Sequence, residues 1–290
     1  MSIISWNCHG LGLPTNVRFL KELVRQERPS YIFLCETIDN KGKIDWISKS
    51  LGFDGLVTVD AQGRSGGLAL LWKEKDDVEL RSFSRNHIDV EVAVEGKDRW
   101  RLTGVYGEPD RSQRRKTWDL LRNLARDSNL PWCVIGDMNN LISQKDKRGG
   151  ALYPNWFLDG FNEVIIDTNL IDMELVGYQY TWERGKGTAD WIEERLDRAL
   201  TNAAWLDLFP MAKLYNLEDT SSDHCPIMLI PEEKMKCTGK RPFRFENAWL
   251  TEPMCRQLVV ESWEENNMEN IQQKVKLCGD NLEQWGHEVT

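Results

Sequence analysis

Six short apolar runs punctuate the chain: Ile3–Trp6, Tyr31–Cys35, Leu68–Trp72, Trp100–Tyr106, Trp132–Ile135 and Ile227–Ile230. Each is too short, and too β-branched or aromatic, to be an amphipathic helix, and each is predicted as a buried strand. Asn86–Val94 alternates instead, with Ile88, Val90, Val92 and Val94 on one side and Asp89, Glu91 and Ala93 on the other. That period of two predicts a half-buried antiparallel strand. Helical spacing falls between the strands. Val17, Leu20, Leu23 and Val24 form a stripe between Pro14-Thr-Asn and Pro29, which stops it. Trp118, Leu121, Leu124 and Ala125 form a second stripe, with Asp110 or Ser112 as the expected cap. Asn155–Thr168, carrying Trp156, Phe157, Phe161 and Ile165, forms a third. Helices interleaved with strands predict mixed sheets covered by helices, an α/β arrangement.

After Pro231 the character changes. Pro231-Glu-Glu-Lys-Met-Lys-Cys-Thr-Gly-Lys is polar and reads as a linker, so one domain is expected over 1–231 and a linker with a helical extension over 232–290. In that extension Ile271, Val275, Cys278, Leu282 and Trp285 share one helical stripe. The stripe over 271–285 either docks on the body or awaits a partner, which includes a second copy of the chain.

Composition narrows the classes. Hydrophobic residues are 41% and charged residues 29%, as in soluble globular chains. No apolar run approaches the roughly 18 residues of a membrane span, so no membrane partner is expected. The 7 cysteines are scattered without a Cys-x-x-Cys pair, which argues against a disulfide scaffold or a structural zinc site. The opening MSIISWNCHG lacks the layout of a secretory signal. Both features favour an intracellular address. Net charge is −9, but Phe245–Thr290 holds 9 acidic and 3 basic residues, so the body is near balance. A balanced body does not grip nucleic acid by bulk positive charge. It remains compatible with an enzyme that touches a few phosphates and supplies a cation of its own.

Acids, amides and one histidine recur at the strand ends. Asn7 closes the first run, Glu36 follows the second, and Asp137 and Asn139 follow Trp132–Ile135, while Asp223-His224 leads into the last run. Asn7, Glu36, Asp137, Asn139 and Asp223 are the oxygen-rich set that a hard cation such as Mg²⁺ selects. A carboxylate that holds an imidazole in one tautomer is a recurring acid–base device, and Asp197 is placed to orient His224 in that way. Phosphate-ester hydrolysis needs these parts together: a cation on the phosphate oxygens, a base for water and donors for the transition state. With 4 histidines and no His-Glu-x-x-His, zinc peptidase chemistry is disfavoured.

The stretches WNCHGL, CET, GRSGGLALLW, GVYG, VIGDMN, YTW, RLDRAL and SDHCPI occur in the order found in the endonuclease/exonuclease/phosphatase superfamily, which the chain resembles over about residues 1–231. Within it, the likeness is greatest to the endonuclease domains of plant-type LINE (non-LTR) retrotransposons. The resemblance implies a four-layer α/β sandwich, two mixed sheets face to face with helices outside, as in DNase I. It implies Mg²⁺, with Mn²⁺ as a substitute, held by Glu36, Asn7 and Asp223. Asp137 would activate water, Asn139 would donate to the phosphoryl oxygens, and His224 paired to Asp197 would stabilise the transition state. How the base role divides between Asp137 and the Asp197–His224 pair stays open. Tyr106 would place its phenol near the scissile phosphate, with Thr181 and Ser222 as further phosphate contacts.

The function so implied is a metal-dependent endonuclease that nicks one strand of duplex DNA and leaves a 3′-hydroxyl, with DNA as partner and the nucleus as address. Alternatives are a phosphatase or phosphodiesterase acting on inositol phosphates or lipid head groups, and a non-catalytic domesticated fragment. The stretch from Arg241 to Trp249 resembles the one that leads to the reverse transcriptase in such elements, so a piece of a longer element is also expected.

His9 stands where related abasic-site endonucleases often carry an acid, which argues against an abasic-site repair enzyme. It either contacts phosphate or makes a local turn. Arg111, Arg114, Arg115 and Lys116 either meet DNA phosphates, Arg115 among them, or form a solvated helix face. Lys145, Lys147 and Arg148 occupy a loop that can track a DNA backbone. For Arg64-Ser65-Gly66-Gly67 the structural reading is favoured: glycines that let a strand start beside another backbone. Most of the 13 tryptophans, among them Trp6, Trp72 and Trp132, are assigned to packing.

Overall fold

The computed structural model describes residues 1–61, 63, 65–73, 78–217, 222–232 and 252–265, together with 274, 275, 277–279, 281, 282, 284 and 285. The chain divides into two compact units, Met1–Lys234 and Met235–Thr290. Arg64, Ser221, Ile271, most of the polar linker after Pro231 and the stretch from Arg241 to Trp249 lie outside the described residues.

In the first unit the strands run β1 (Ile3–Asn7), β2 (Tyr31–Cys35), β3 (Gly55–Val59), β4 (Leu68–Trp72), β5 (Val78–Ser84), β6 (His87–Val92), β7 (Trp100–Tyr106) and β8 (Trp132–Asp137). They continue with β9 (Lys147–Arg148), β10 (Leu170–Asp172), β11 (Leu175–Val176), β12 (Trp182–Arg184), β13 (Ile192–Glu194), β14 (Asp197–Asn202), β15 (Lys213–Asn216) and β16 (Ile227–Ile230). A seven-stranded sheet has the order β11-β15-β16-β1-β2-β4-β3, a six-stranded sheet the order β10-β14-β8-β7-β6-β5, and β12-β13-β9 form a small third sheet. Parallel pairs β1/β2 and β7/β8 lie among antiparallel neighbours, so both large sheets are mixed.

The two large sheets pack face to face. Phe33, Leu68 and Leu70 of one meet Ile88, Val90, Leu102 and Ile135 of the other in a single buried cluster. Gly104 lies against Phe33 of the facing sheet, where an added Cβ would be 2.1 Å from the ring. The outer faces are covered by helices α1 (Pro14–Glu27) and α2 (Lys41–Ser50) on the seven-stranded sheet and α3 (Arg115–Arg126) and α4 (Asn155–Asp167) on the six-stranded one. Leu20 and Val24 of α1 and Ile44 and Ile47 of α2 pack on Ile32, Leu34 and Leu71. Trp118, Leu121 and Leu124 of α3 and Phe157, Phe161 and Val164 of α4 pack on Val105, Trp132 and Val134. The result is the four-layer sandwich expected from the resemblance.

Two local expectations change. β6 does not keep a solvated face: Asp89 is fully buried, held by the Arg101 guanidinium at 2.8 Å and the Thr103 hydroxyl at 2.6 Å. An ion pair with satisfied hydrogen bonds supplies what an alternating pattern cannot signal. Asp110 caps a short 3₁₀ turn at Arg111–Gln113 through the Ser112 amide, while α3 begins at Arg115 without a side-chain cap. The Ser65-Gly66-Gly67 reading holds: Thr37 and Ile38 donate their amides to the Gly67 and Gly66 carbonyls, and a Cβ on Gly67 would lie 2.4 Å from the Thr37 hydroxyl.

In the second unit, α5 having been the short helix Ala203–Leu208 of the first, α6 spans Pro253–Glu265. Cys278 and Leu282 are buried against Cys255, with Leu258, Val259 and Trp285 beside them, while Val275 is exposed. Cys278, Leu282 and Trp285 of the apolar stripe therefore pack within their own unit.

Candidate active site

The polar residues of the motifs meet at one edge of the sandwich because strand register carries them there. Asn7 ends β1 opposite Cys35, and Glu36 follows directly on β2. Tyr106 and Asp137 end β7 and β8 as partners, and Asp137 faces Asp197, the first residue of antiparallel β14. Gly136 makes the last step tolerable: its φ is +149°, and any Cβ would lie 1.9 Å from the Val105 carbonyl oxygen. His9, Glu36, Ile38 and Asn139 all have positive φ, between 43° and 52°. Such backbone conformations in non-glycine residues cluster at functional sites.

His224 occupies the centre. Its Nδ1 lies 2.8 Å from Asp197 Oδ2 and its Nε2 lies 3.7 Å from Asp137 Oδ2. The ring is clamped through its backbone: Trp6 donates its indole N–H to the His224 carbonyl at 3.1 Å, and the Cys225 amide donates to the Thr181 carbonyl at 2.7 Å. Burial disfavours a charged imidazole, but Asp197 and then Asp137 outweigh it and push the His224 pKa up to about 10. Burial raises the Asp137 pKa to about 6, the His224 charge opposing and Asp197 adding to the rise.

Asp137 is fully engaged. Its Oδ1 accepts the Asn139 amide at 2.9 Å, and its Oδ2 accepts the Asn7 and Asn139 side-chain amides, each at 3.1 Å. Asn139 also donates to the Gly107 carbonyl at 2.9 Å, so both its amide hydrogens are used within the protein. That differs from the expected donor to phosphoryl oxygens: in this arrangement Asn139 orients Asp137. Tyr106 likewise donates its hydroxyl to Glu36 Oε1, and burial with the adjoining Glu36 charge raises its pKa.

At the mouth, Asn7, Glu36 and Asp223 all approach His9. His9 Nδ1 lies 3.4 Å from Asp223 Oδ1 and 3.9 Å from Glu36 Oε2, and Asn7 Oδ1 accepts the His9 amide at 3.3 Å. Two carboxylates and an amide oxygen lining the same cleft supply the oxygen chemistry that a hard cation selects. The cluster of Asp137, Asp197 and His224 also brings ligand atoms within 4.8 Å of one another. Both oxygens of Asp137 accept the hydrogen bonds above, whereas Asp197 Oδ1 is buried without a hydrogen-bond partner.

Asn7, His9, Glu36, Asp137, Asn139, Asp223 and His224 line one cleft of about 310 Å³. Asp197 and Tyr106 do not line it but bond His224 and Glu36, which do, and three further expected members stand elsewhere. Thr181 is fully buried and accepts the Leu196 and Asp197 amides at 3.1 and 3.0 Å, which secures the start of β14. Ser222 borders a neighbouring pocket and lies 3.4 Å from the Asn7 carbonyl. Arg115 is exposed outside the cleft, one residue past Arg114, which lines it with Arg111. Sequence reasoning missed Trp182, Arg184, Ile192, Glu194 and Leu196, which also line the cleft. Trp182 donates its indole N–H to Asp223 Oδ2 at 3.0 Å, and Lys147 is paired with Glu194. The small sheet of β12, β13 and β9 brings Trp182, Arg184, Ile192 and Glu194 to the cleft, and its two- and three-residue strands leave no periodic signal.

No curated protein matches the chain by sequence. Solved structures share the fold at low identity. An AP endonuclease from Leishmania major superposes with a TM-score of 0.60 at 16% identity, covering 79% of this chain and 86% of its own. A 3′-5′ exonuclease from Neisseria meningitidis does so with a TM-score of 0.60 at 17% identity, covering 79% and 99%. The endonuclease domain of TRAS1, a telomere-specific non-LTR retrotransposon, gives 0.58 at 16% identity, covering 79% and 96%. Residues 4–224 match the Endonuclease/Exonuclease/phosphatase family, and the chain therefore belongs to that family of phosphate-ester hydrolases.

Proposed function

We propose that the protein is a divalent-cation-dependent endonuclease that hydrolyses one phosphodiester of duplex DNA and leaves a 3′-hydroxyl, as in the LINE-type elements its motifs resemble. The observation that carries this reading is His224 held between Asp197 and Asp137 beside the Glu36–Asp223–Asn7 oxygens. Glu36, Asp223 and Asn7 would hold Mg²⁺ or Mn²⁺, which when bound neutralises charge on the phosphate oxygens. Asp137, ionised above about pH 6, accepts a proton from the attacking water as the P–O3′ bond breaks, and the leaving 3′-oxygen takes a proton from solvent. Asn7 and Asn139 keep its carboxylate aimed through their amides. His224, held as an imidazolium by Asp197, stabilises negative charge on the phosphoryl oxygens. Tyr106 positions Glu36 through its hydroxyl. The cleft wall bearing Arg111, Arg114 and Arg184 suits a polyanionic substrate.

The test is nicking of supercoiled plasmid in Mg²⁺, its loss in EDTA, and end-labelling of the product to identify the 3′ group. Turnover of inositol polyphosphates in preference to plasmid, or undiminished nicking by both Glu36→Ala and His224→Ala, would reject the proposal.

A further inference from the structure

Arg114 stands just before α3, is 6% exposed, and lines the catalytic cleft. One terminal nitrogen donates to the Tyr153 hydroxyl. The guanidinium lies 5.6 Å from the Tyr153 ring centroid and 5.3 Å from that of Phe157. Its buried Nε has no hydrogen-bond partner. Among the described residues no carboxylate forms an ion pair with it; Glu194, Asp137 and Asp110 act on its charge only from farther away. Arg111 lies over the same tyrosine ring at 5.6 Å. Burial and then the Arg111 charge lower the Arg114 pKa to about 10, which leaves it cationic at neutral pH.

A buried cation without a contacting counter-charge is costly, and removing that cost calls for an anion. Lys147 and His224, which also line the cleft, are paired with Glu194 and Asp197, whereas Arg184 at its rim, like Arg114, forms no ion pair among the described residues. A guanidinium fork matches the oxygens of a phosphate, and two adjacent guanidiniums hold one more firmly than either alone. We infer that Arg114 and Arg111 form a second anion subsite, which receives the phosphodiester adjoining the scissile one on the same polynucleotide strand. This rests on the nuclease reading above and adds what the cleft requires of its substrate: at least two consecutive phosphates. Tyr153 acts as the platform that keeps both guanidiniums facing the cleft.

The experiment uses the full chain and duplex oligonucleotides carrying one uncharged methylphosphonate, moved linkage by linkage across the mapped cleavage point. Cleavage rates are compared for the wild type, Arg114→Gln and Arg114→Lys, with thermal melting of each as a control. A charge-assisted contact to phosphate corresponds to about a tenfold loss or more when it is removed. The wild type should lose about that factor at one linkage next to the cleavage point. Arg114→Gln should lose less than about threefold at that linkage, and Arg114→Lys an intermediate amount. At all other linkages the three proteins should respond alike. Identical profiles in wild type and variants would overturn the inference. Should Arg114→Gln fail to fold, an Arg114→Lys profile that matches the wild type at every linkage has the same force. Absence of cleavage by the wild type would instead remove the nuclease reading, a result distinct from failure at Arg114 alone.

Discussion

Asp137 and Asp197 face each other as register partners on neighbouring antiparallel strands, and His224 reaches both from a segment that enters between them. Two buried carboxylates so close together repel, and the imidazolium relieves that repulsion while gaining its own charge from it. The three groups therefore form one electrostatic unit, in which the charges of Asp137 and His224 depend on each other.

Replacement of Asp197 by Asn tests this unit. The His224 pKa should fall from about 10 toward the range of an ordinary imidazole, because Asp197 is the first of the groups that raise it. NMR titration of the ring reads that shift directly. Phosphodiester hydrolysis at neutral pH should fall about 10²- to 10⁴-fold, in keeping with loss of the orienting carboxylate in other imidazole–carboxylate pairs. An unmoved His224 pKa would separate the two residues functionally.

The pH profile should be bell-shaped. Asp137 must be ionised to accept a proton, so kcat/KM rises through about pH 6. His224 must be protonated, so the rate declines as pH approaches 10. Stability follows a related logic. Because the folded-state pKa of His224 is raised, its contribution is complete below the ordinary imidazole pKa and is lost as pH climbs through about 10. His224→Gln should therefore cost most stability near pH 6 and progressively less toward pH 10 in denaturant titrations.

Removal of Glu36 should separate cation binding from folding. In the wild type, Mg²⁺ or Mn²⁺ should raise the melting midpoint, since a ligand at about 100 times its Kd adds about 2.7 kcal/mol to the folded state. Glu36→Gln should abolish most of that rise and most activity while melting normally without metal. Tyr106→Phe should weaken the metal effect less, because it removes a hydrogen bond to Glu36 and leaves the carboxylate in place.

Two core substitutions should unfold the scaffold for different reasons. Gly104→Val places side-chain atoms inside the space of the Phe33 ring, an overpacking worth about 1–3 kcal/mol or more. Asp89→Ala leaves the Arg101 guanidinium buried without its carboxylate, at about 3–5 kcal/mol. Both should lower the urea midpoint. A surface change such as Arg115→Ala should not.

β1, β2, β4, β7, β8 and β16 were legible because strands buried on both faces are dominated by apolar side chains, with exceptions such as Arg101 and Thr103 that find buried partners. The amphipathic stripes of α1, α3 and α4 were legible for the corresponding reason. β3, β5 and β9 to β13 were not, being edge strands, partly exposed strands or pairs of two and three residues with no complete period. The second helix, α2, was passed over although its buried Ile44 and Ile47 cover the seven-stranded sheet.

Among the site residues, amino-acid type and order were enough to nominate Asn7, Glu36, Asp137, Asp197, Asp223 and His224, because only a few side chains carry the needed oxygens and nitrogens. Which atoms remain free for chemistry was decided by tertiary structure alone. Asn139 and Tyr106 spend their donors on neighbouring carboxylates, Thr181 turns inward to the amides of Leu196 and Asp197, and Arg114 rather than Arg115 faces the cleft. A linear pattern specifies what each residue can donate or accept. The partner it finds depends on register between strands far apart in the chain, and that is settled only when the two sheets close on each other.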